Sequence, residues 1–322
     1  MQLREWRHGR LQTSALAIGI ALLAAVLAVA YPHFATRANV EVLAMGFLLE
    51  AFLAVGMTAV VITGGIDLSV GAVLPLSAIV TASLLRMELP IAAAVAISLT
   101  LAAAVGGTNA ALSTALQVHP FIVTLATMLS IKGLNLVVTQ GAPIAGLPSN
   151  FAVVASGRVL GFPGPLLLFG FIAAVIALLL RRHRFWQQVY LVGGNARAAA
   201  AVGVRVPTVL VAVYALSAVL AGVAGVLAAS LYGTANAGFG QNIELRVIAA
   251  VVIGGASLNG GSGSIGGTLL GVLFLALLYN AFAMTGVSTY WQDVVTGTMV
   301  LGSVLATDLV SRRTARLNSF RG

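Results

Sequence analysis

Long apolar runs, each near the length of a membrane crossing, alternate along this chain with short polar breaks. Ten runs stand out, at residues 12–31, 42–62, 70–86, 90–111, 120–139, 164–180, 207–230, 244–258, 264–284 and 292–310. A helix needs about 20 residues to cross the hydrocarbon core of a bilayer. The runs are continuously apolar and do not alternate with period two, a pattern of helices and not of a β-barrel. The expectation is an all-α polytopic membrane protein of about ten transmembrane helices. The runs at 70–86 and 244–258 are short for a full span and are expected to be tilted, broken or partly re-entrant.

Composition removes the other classes. Of 322 residues, 60% are apolar and 8% charged, against about 25% charged in an ordinary soluble domain. Neither a soluble globular fold nor a disordered chain fits. Cysteine is absent, which excludes disulfides, thiolate metal sites and a cysteine nucleophile. The 36 glycines suit helices that pack closely in a membrane.

Charge placement gives the orientation. With a cytoplasmic N-terminus and ten spans, the cytoplasmic segments hold Arg4, Arg7, Arg10, Arg181, Arg182, Arg184, Arg197, Arg205, Arg312, Arg313, Arg316 and Arg321. The outer loops hold only Arg37, Arg86 and Arg158. This positive-inside bias places both termini in the cytoplasm. The expected division is a cytoplasmic tail at 1–11, a transmembrane permease domain at 12–310 and a cytoplasmic tail at 311–322. The net charge of +9 thus reports topology. No basic stripe is interleaved with aromatics, so no nucleic-acid partner is expected. The first run also has a signal-peptide form, ending in Ala28-Val29-Ala30. An uncleaved signal-anchor is the favoured reading, because removing that span would break the charge rule.

Two connections are longer than a tight turn. Residues 140–163, with Pro143, Pro148 and Pro163, form an irregular outer loop. Residues 181–206 form the longest cytoplasmic loop, in which Asn195–Val202 reads as a short helix after a Gly193-Gly194 turn. Either a peripheral partner grips this loop or it is a solvated connector.

Enzyme-like strings fail on context. Gly261-Ser262-Gly263-Ser264-Ile265-Gly266 matches the dinucleotide fingerprint. It lies between two apolar runs, and no acidic residue follows until Asp293, whereas the fingerprint needs a strand before it and an acid about 20 residues on. The Gly-x-Ser-Gly string at 260–263 resembles that of intramembrane serine proteases, but His8, His33, His119 and His183 all precede it. Nor do these histidines have metal-ligand spacing. The one lysine, Lys132, is followed by Gly133, so no phosphate-binding loop exists. No cofactor is expected on this chain, and ATP hydrolysis, if used, belongs to a partner.

Two glycine-rich breaks remain, at 61–71 and 252–267. Non-helical backbone at membrane depth survives only where protein buries it or water reaches it, and such breaks line transporter pathways. Gly64, Gly65, Asp67 and Ser69 in the first, and Gly254, Gly255 and Ser262 in the second, are candidates for the substrate path or gate. The plain alternative is a pair of interfacial turns. Glu50 and Lys132 lie mid-run, where a charge is costly and a functional role is the default. They can pair with each other or face a polar cavity, and a glutamate there can also relay protons. Glu244, Arg246, Asp293 and Asp308, at run ends, read as interface anchors. Asn109, a further path candidate, joins Asn135, Gln140 and Asn280 in offering hydrogen bonds suited to a hydroxylated solute. Phe47, Phe52, Phe121, Tyr279 and Trp291 can stack on a sugar, though aromatics at such positions more often pack or anchor.

Thr63-Gly-Gly-Ile-Asp-Leu-Ser-Val-Gly71 resembles the signature of the membrane permease subunits of ABC importers for monosaccharides, the ribose, xylose, arabinose and rhamnose type. Val118–Thr127, Tyr190–Asn195 with Ala199, Ala200, Gly203 and Val204, and Glu244–Gly255 running on to Ser264 are similar to three further family strings, in the same order. The chain departs at Trp186-Gln187-Gln188, at Ala196-Arg197 and at Arg246, where the family often has Gly-Arg, acidic residues, and an acidic residue or lysine, respectively. The resemblance implies a bacterial inner-membrane protein that pairs with a second permease copy or a related permease, surrounded by membrane lipid. It implies a cytoplasmic ATPase that uses ATP and magnesium and docks on Gly193, Gly194, Asn195, Ala199, Ala200 and Gly203. It also implies a periplasmic binding protein that delivers the sugar. A stand-alone ion-coupled secondary transporter of a small polar solute is the alternative.

Overall fold

The computed structural model describes residues 2–302 other than Thr289, Asp293 and Val300, with side chains from Thr13 onward. Asp293, Asp308 and the arginines of the 311–322 tail therefore lie outside the described residues. The chain is helical: α1 Gln2–Ala30, α2 Arg37–Ile62, α3 Val70–Arg86, α4 Ile91–Ala115 and α5 Pro120–Thr139 come first. A short helix α6 Val153–Ser156 and a two-stranded hairpin, β1 Arg158–Val159 with β2 Phe162–Pro163, follow. Then come α7 Gly164–Arg182, α8 Arg184–Ala201, α9 Val206–Tyr232, α10 Ile243–Ile253 and α11 Ile265–Thr285. Among the described residues, seven helices are long and apolar enough to cross a membrane: α1 from Thr13, α2, α4, α5, α7, α9 and α11. The 17-residue α3 is apolar but shorter. Beyond α11, helical backbone is described at 290–292, 294–299 and 301–302.

Helix ends follow local chemistry. Ser264 caps α11 by accepting from the Gly267 N–H at 3.1 Å, which satisfies a donor the first turn leaves open. Pro120 and Pro165 sit in the first turns of α5 and α7, where a missing N–H costs nothing. Left-handed Gly233 and Gly286 end α9 and α11, as expected of glycine.

The core is built around α9, with α2, α3 and α4 packed on it. Small residues permit the approach: a Cβ on Gly106 would meet the backbone of Tyr214, and one on Gly225 would meet the Leu74 carbonyl. Every residue of α2 from Ala51 to Ile62 is buried. The outside is apolar, the reverse of a soluble protein: Ile122, Leu129, Leu136 and Val137 of α5 and Phe171 and Leu178 of α7 are exposed. These faces match hydrocarbon. The 140–163 loop is more ordered than its prolines suggest. Phe151 is buried, the Ser230 hydroxyl donates to its carbonyl at 2.7 Å, and Ile144 bridges to Ala235.

Candidate translocation site

The 11-residue α10 is about 16 Å long at 1.5 Å per residue, roughly half the 30 Å hydrocarbon thickness. Its neighbours show which half it occupies. Arg246 Nε lies 2.8 Å from Glu50 Oε1, midway along α2, while Gly261, beyond the α10 C-terminus, meets Ile62 at the end of α2. The run at 244–258 is therefore a half-helix followed by a turn.

Two ion pairs hold α10. Lys132 Nζ of α5 donates to Glu244 Oε1 at 3.0 Å, and Arg246 pairs with Glu50. Glu50 and Lys132 thus do not pair with each other, and Glu244 and Arg246 are their partners instead of interface anchors. Residues two apart on a helix face different ways, so one half-helix reaches α5 with Glu244 and α2 with Arg246. Gly71 makes room, since a Cβ there would collide with the Glu244 carboxylate. The four charges sum to zero, which offsets a burial cost of about 2.5–3.5 kcal/mol for each charge placed alone at membrane depth.

The first break, 63–69, is tied into the core by a directed chain of hydrogen bonds. Thr127 Oγ1 donates to Asn109 Oδ1 at 2.7 Å, and Asn109 Nδ2 donates to Ser69 Oγ at 2.9 Å. Ser69 Oγ and its backbone N–H both donate to Asp67 Oδ1, at 2.5 and 3.0 Å. Thr124 Oγ1 adds a bond to the Ile66 carbonyl at 3.1 Å. Asp67, Ser69 and Asn109 are buried. Asp67 Oδ2, Tyr214 Oη and Ser217 Oγ are buried together where α9 meets this break.

The two breaks and α8 converge on one spot. The Gly261 N–H donates to the Ile62 carbonyl at 2.8 Å. A Cβ on Gly193 would collide with that same carbonyl and lie 2.6 Å from the Gly261 nitrogen, and Gly64, at φ +80°, faces the Asn259 carbonyl. Tyr190 Oη donates to the Gly263 carbonyl at 3.2 Å. Its hydroxyl lies outside the spanning helices, and burial raises its pKa. Thr58 and Thr268 hydroxyls share a 2.7 Å bond across α2 and α11. Gly254 packs against the Gly267 backbone, with Gly255 at φ +92°. Ser262 differs: it is exposed and closes a turn through its carbonyl, which accepts from the Ser257 N–H at 3.1 Å.

Helix α8 runs through Gly193-Gly194, and the interruption falls one residue later, at Asn195 (φ −163°, ψ 102°). Its side chain accepts from the Ala198 N–H at 3.0 Å, restarting the helix. Ala199 is buried, whereas Leu191, Gly194, Asn195, Arg197, Ala200 and Gly203 are exposed. One side of α8 therefore grips both breaks and the other is free.

Of the remaining polar and aromatic candidates, Asn135 donates to the Ala72 carbonyl at 3.2 Å and Asn280 donates to Asn39 at 2.7 Å. Gln140 is the left-handed cap of α5. Phe47 and Phe52 pack edge-on against Phe169, Tyr279 lies beside Arg246, and Phe121 and Trp291 are exposed. Sequence reasoning missed Tyr214, Ser217, Thr127, Tyr232 and Phe239. The matched signs of Glu50, Lys132, Glu244 and Arg246 were the available signal for the ion pairs. The rest depend on which helices touch, which no local pattern states.

Membrane-length helices around a half-helix, two part-buried ion pairs and a pair of interlocked breaks define a polytopic membrane transport protein. The family model described as branched-chain amino acid transport system / permease component matches residues 38–304, and the chain belongs to that family. Among similar proteins, the ribose import permease protein RbsC of Bacillus subtilis (strain 168) is 38% identical over 290 residues, 89% of this chain and 90% of that protein. RbsC of Escherichia coli (strain K12) is 37% identical, covering 89% of this chain and 91% of that protein. The D-allose transport system permease protein AlsC of E. coli K12 is 31% identical, covering 91% and 90%. No solved structure matches the chain. This chain is a permease subunit and not an enzyme.

Proposed function

We propose that the chain is the membrane subunit of an ABC importer and forms the path for a monosaccharide handed over by a periplasmic binding protein. The observation that carries this reading is the α8 junction, where one helix touches both breaks through Gly193 and Tyr190 and leaves Gly194 to Arg197 exposed. A partner that moves α8 moves both breaks together. The substrate class follows from the ribose and allose permeases it resembles.

In this account ten spans cross a bacterial inner membrane with both termini cytoplasmic. Residues 1–11 and 311–322 are the tails, 12–310 the permease domain, and α8 with its flanks the coupling loop. A second copy or a related permease completes the path within the lipid. The partner ATPase binds ATP and magnesium on its own subunit, and this chain binds no cofactor. Nucleotide binding favours one of two ATPase arrangements, and α8 transmits that bias to the breaks. Gly64, Gly65, Asp67, Ser69, Gly254, Gly255 and Ser262 belong to the gate on this reading, with Asn109 bracing it and Glu50 on the path.

Co-purification from native membranes tests the assignment. The expected result is an ATPase and a sugar-loaded binding protein recovered with the chain. A chain that purifies alone and moves solute on a proton or sodium gradient would overturn it in favour of a secondary transporter.

A further inference from the structure

A cleft of about 340 Å³ lies between α2, the 233–242 segment and the start of α10, lined by Glu50, Arg246, Tyr232, Gly238, Phe239 and Gly240 among others. We propose that this cleft is a solute-binding station for a neutral, polyhydroxylated small molecule whose hydroxyls are read by the Glu50–Arg246 pair. The inference deepens the importer reading and rests on its substrate class.

The cleft falls within the roughly 300–1,000 Å³ of small-molecule sites. Its polar wall is chemically specific. A carboxylate only accepts hydrogen bonds and a guanidinium only donates them. Neighbouring hydroxyls of one sugar supply both partners at once. The pair is neutral overall, so a neutral solute enters without unbalancing it, whereas an ionised solute leaves a charge unmatched in a poorly solvated place. Arg246 Nε, 2.8 Å from Glu50 Oε1, is itself buried, so a solute in the cleft meets the exposed remainder of the Arg246 side chain. Glu50 and Arg246 side chains are 12% and 21% exposed, enough to be reached from the cleft.

Part of the lining is aromatic. Tyr232 and Phe239 rings stand 5.4 Å apart, inclined at 49°, and Tyr232 is exposed at the mouth. Such a surface suits the C–H face of a sugar ring, with polar groups fixing orientation. The Arg246 guanidinium lies over the Tyr279 ring, 5.9 Å from its centroid. The Lys132–Glu244 pair takes no part in the lining.

The absence of cysteine supplies the test. Gly238→Cys puts the subunit's only thiol in the cleft, where a Cβ has room. Leu116→Cys, exposed just past the end of α4, is the control. In the reconstituted complex with ATPase and binding protein, methanethiosulfonate labelling is timed with D-ribose, D-allose, D-gluconate or L-leucine, and uptake of each is measured in parallel. The expected result is about fivefold slower labelling of Gly238→Cys by the transported neutral sugar, as burial of most of a bound ligand implies. Leu116→Cys should be unchanged, gluconate and leucine should not protect, and Glu50→Gln or Arg246→Gln should abolish protection. A sugar that is transported without protecting Gly238→Cys overturns this inference alone. Protection and uptake by leucine instead of sugar overturn both this inference and the importer's substrate class.

Discussion

The backbone N–H of Gly261 donates to the carbonyl of Ile62 at 2.8 Å, fastening the second glycine-rich break to the end of the helix that opens into the first. The carbonyl of Ile62 is the last acceptor of a long buried helix and would otherwise lack a partner. Gly193 is the residue that seals this contact, because any larger side chain would occupy the carbonyl's place. Two breaks almost two hundred residues apart thereby become one mechanical joint, with α8 lying on it.

Gly193 and Gly194 should accordingly behave differently. Gly193→Ala forces the joint apart, at an expected cost of about 1–3 kcal/mol, the range for overpacking. Gly194 has nothing within 4 Å of a Cβ, so Gly194→Ala should stay within about 0.5 kcal/mol of the parent. Thermal unfolding in detergent measures both, and equal losses would refute the packing argument.

The free side of α8 should affect coupling and leave folding intact. Arg197→Glu and Ala200→Trp both alter exposed positions, and surface changes rarely move stability by more than about 0.5 kcal/mol. Each is expected to lower transport-linked ATPase stimulation several-fold while the unfolding temperature holds. Unchanged stimulation and transport would remove the docking role from this face.

Breaking the Lys132–Glu244 pair should cost more than removing it. Lys132→Met leaves the Glu244 carboxylate, 5% exposed, without its cation. Loss of one partner of a fully buried pair costs about 3–5 kcal/mol. With Lys132 itself 35% exposed, the expected loss is smaller, on the order of 1–3 kcal/mol. Adding Glu244→Gln should recover a large part of it, and a double-mutant cycle reads the coupling.

The hydrogen-bond chain through Asn109 should be directional. Asn109→Leu removes an acceptor for Thr127 and a donor for Ser69, at about 1–3 kcal/mol for the buried groups left unsatisfied. Asp67→Asn keeps an acceptor for Ser69 and places a donor beside the buried hydroxyls of Tyr214 and Ser217. Asp67→Asn should therefore be more stable than Asp67→Ala in a melting assay. The reverse order would show that the carboxylate's charge is itself needed there.

Much of the fold was legible because hydrophobic run length and helix length are set by the same bilayer. The runs at 70–86 and 120–139 match α3 and α5 end to end. Glycine clusters marked both breaks for an equally local reason, since φ values of +80° at Gly64 and +92° at Gly255 are open mainly to glycine. Partner choice was not legible. Glu50 and Lys132 were visible as costly mid-run charges, but their partners depend on which way a half-helix faces. The α8 break moved from Gly193-Gly194 to Asn195 because the first glycine is held helical by the joint it packs on. Its small size serves close approach there, not a turn.

The central claim is that this chain supplies a path and draws its energy from a separate ATPase, and uptake into proteoliposomes tests it most directly. Liposomes carrying the chain with its ATPase, a monosaccharide-loaded binding protein outside and ATP inside should accumulate sugar. Vanadate should stop the uptake, and liposomes carrying the chain alone should accumulate none under a proton or sodium gradient. Gradient-driven accumulation by the chain alone, insensitive to vanadate, would contradict the account.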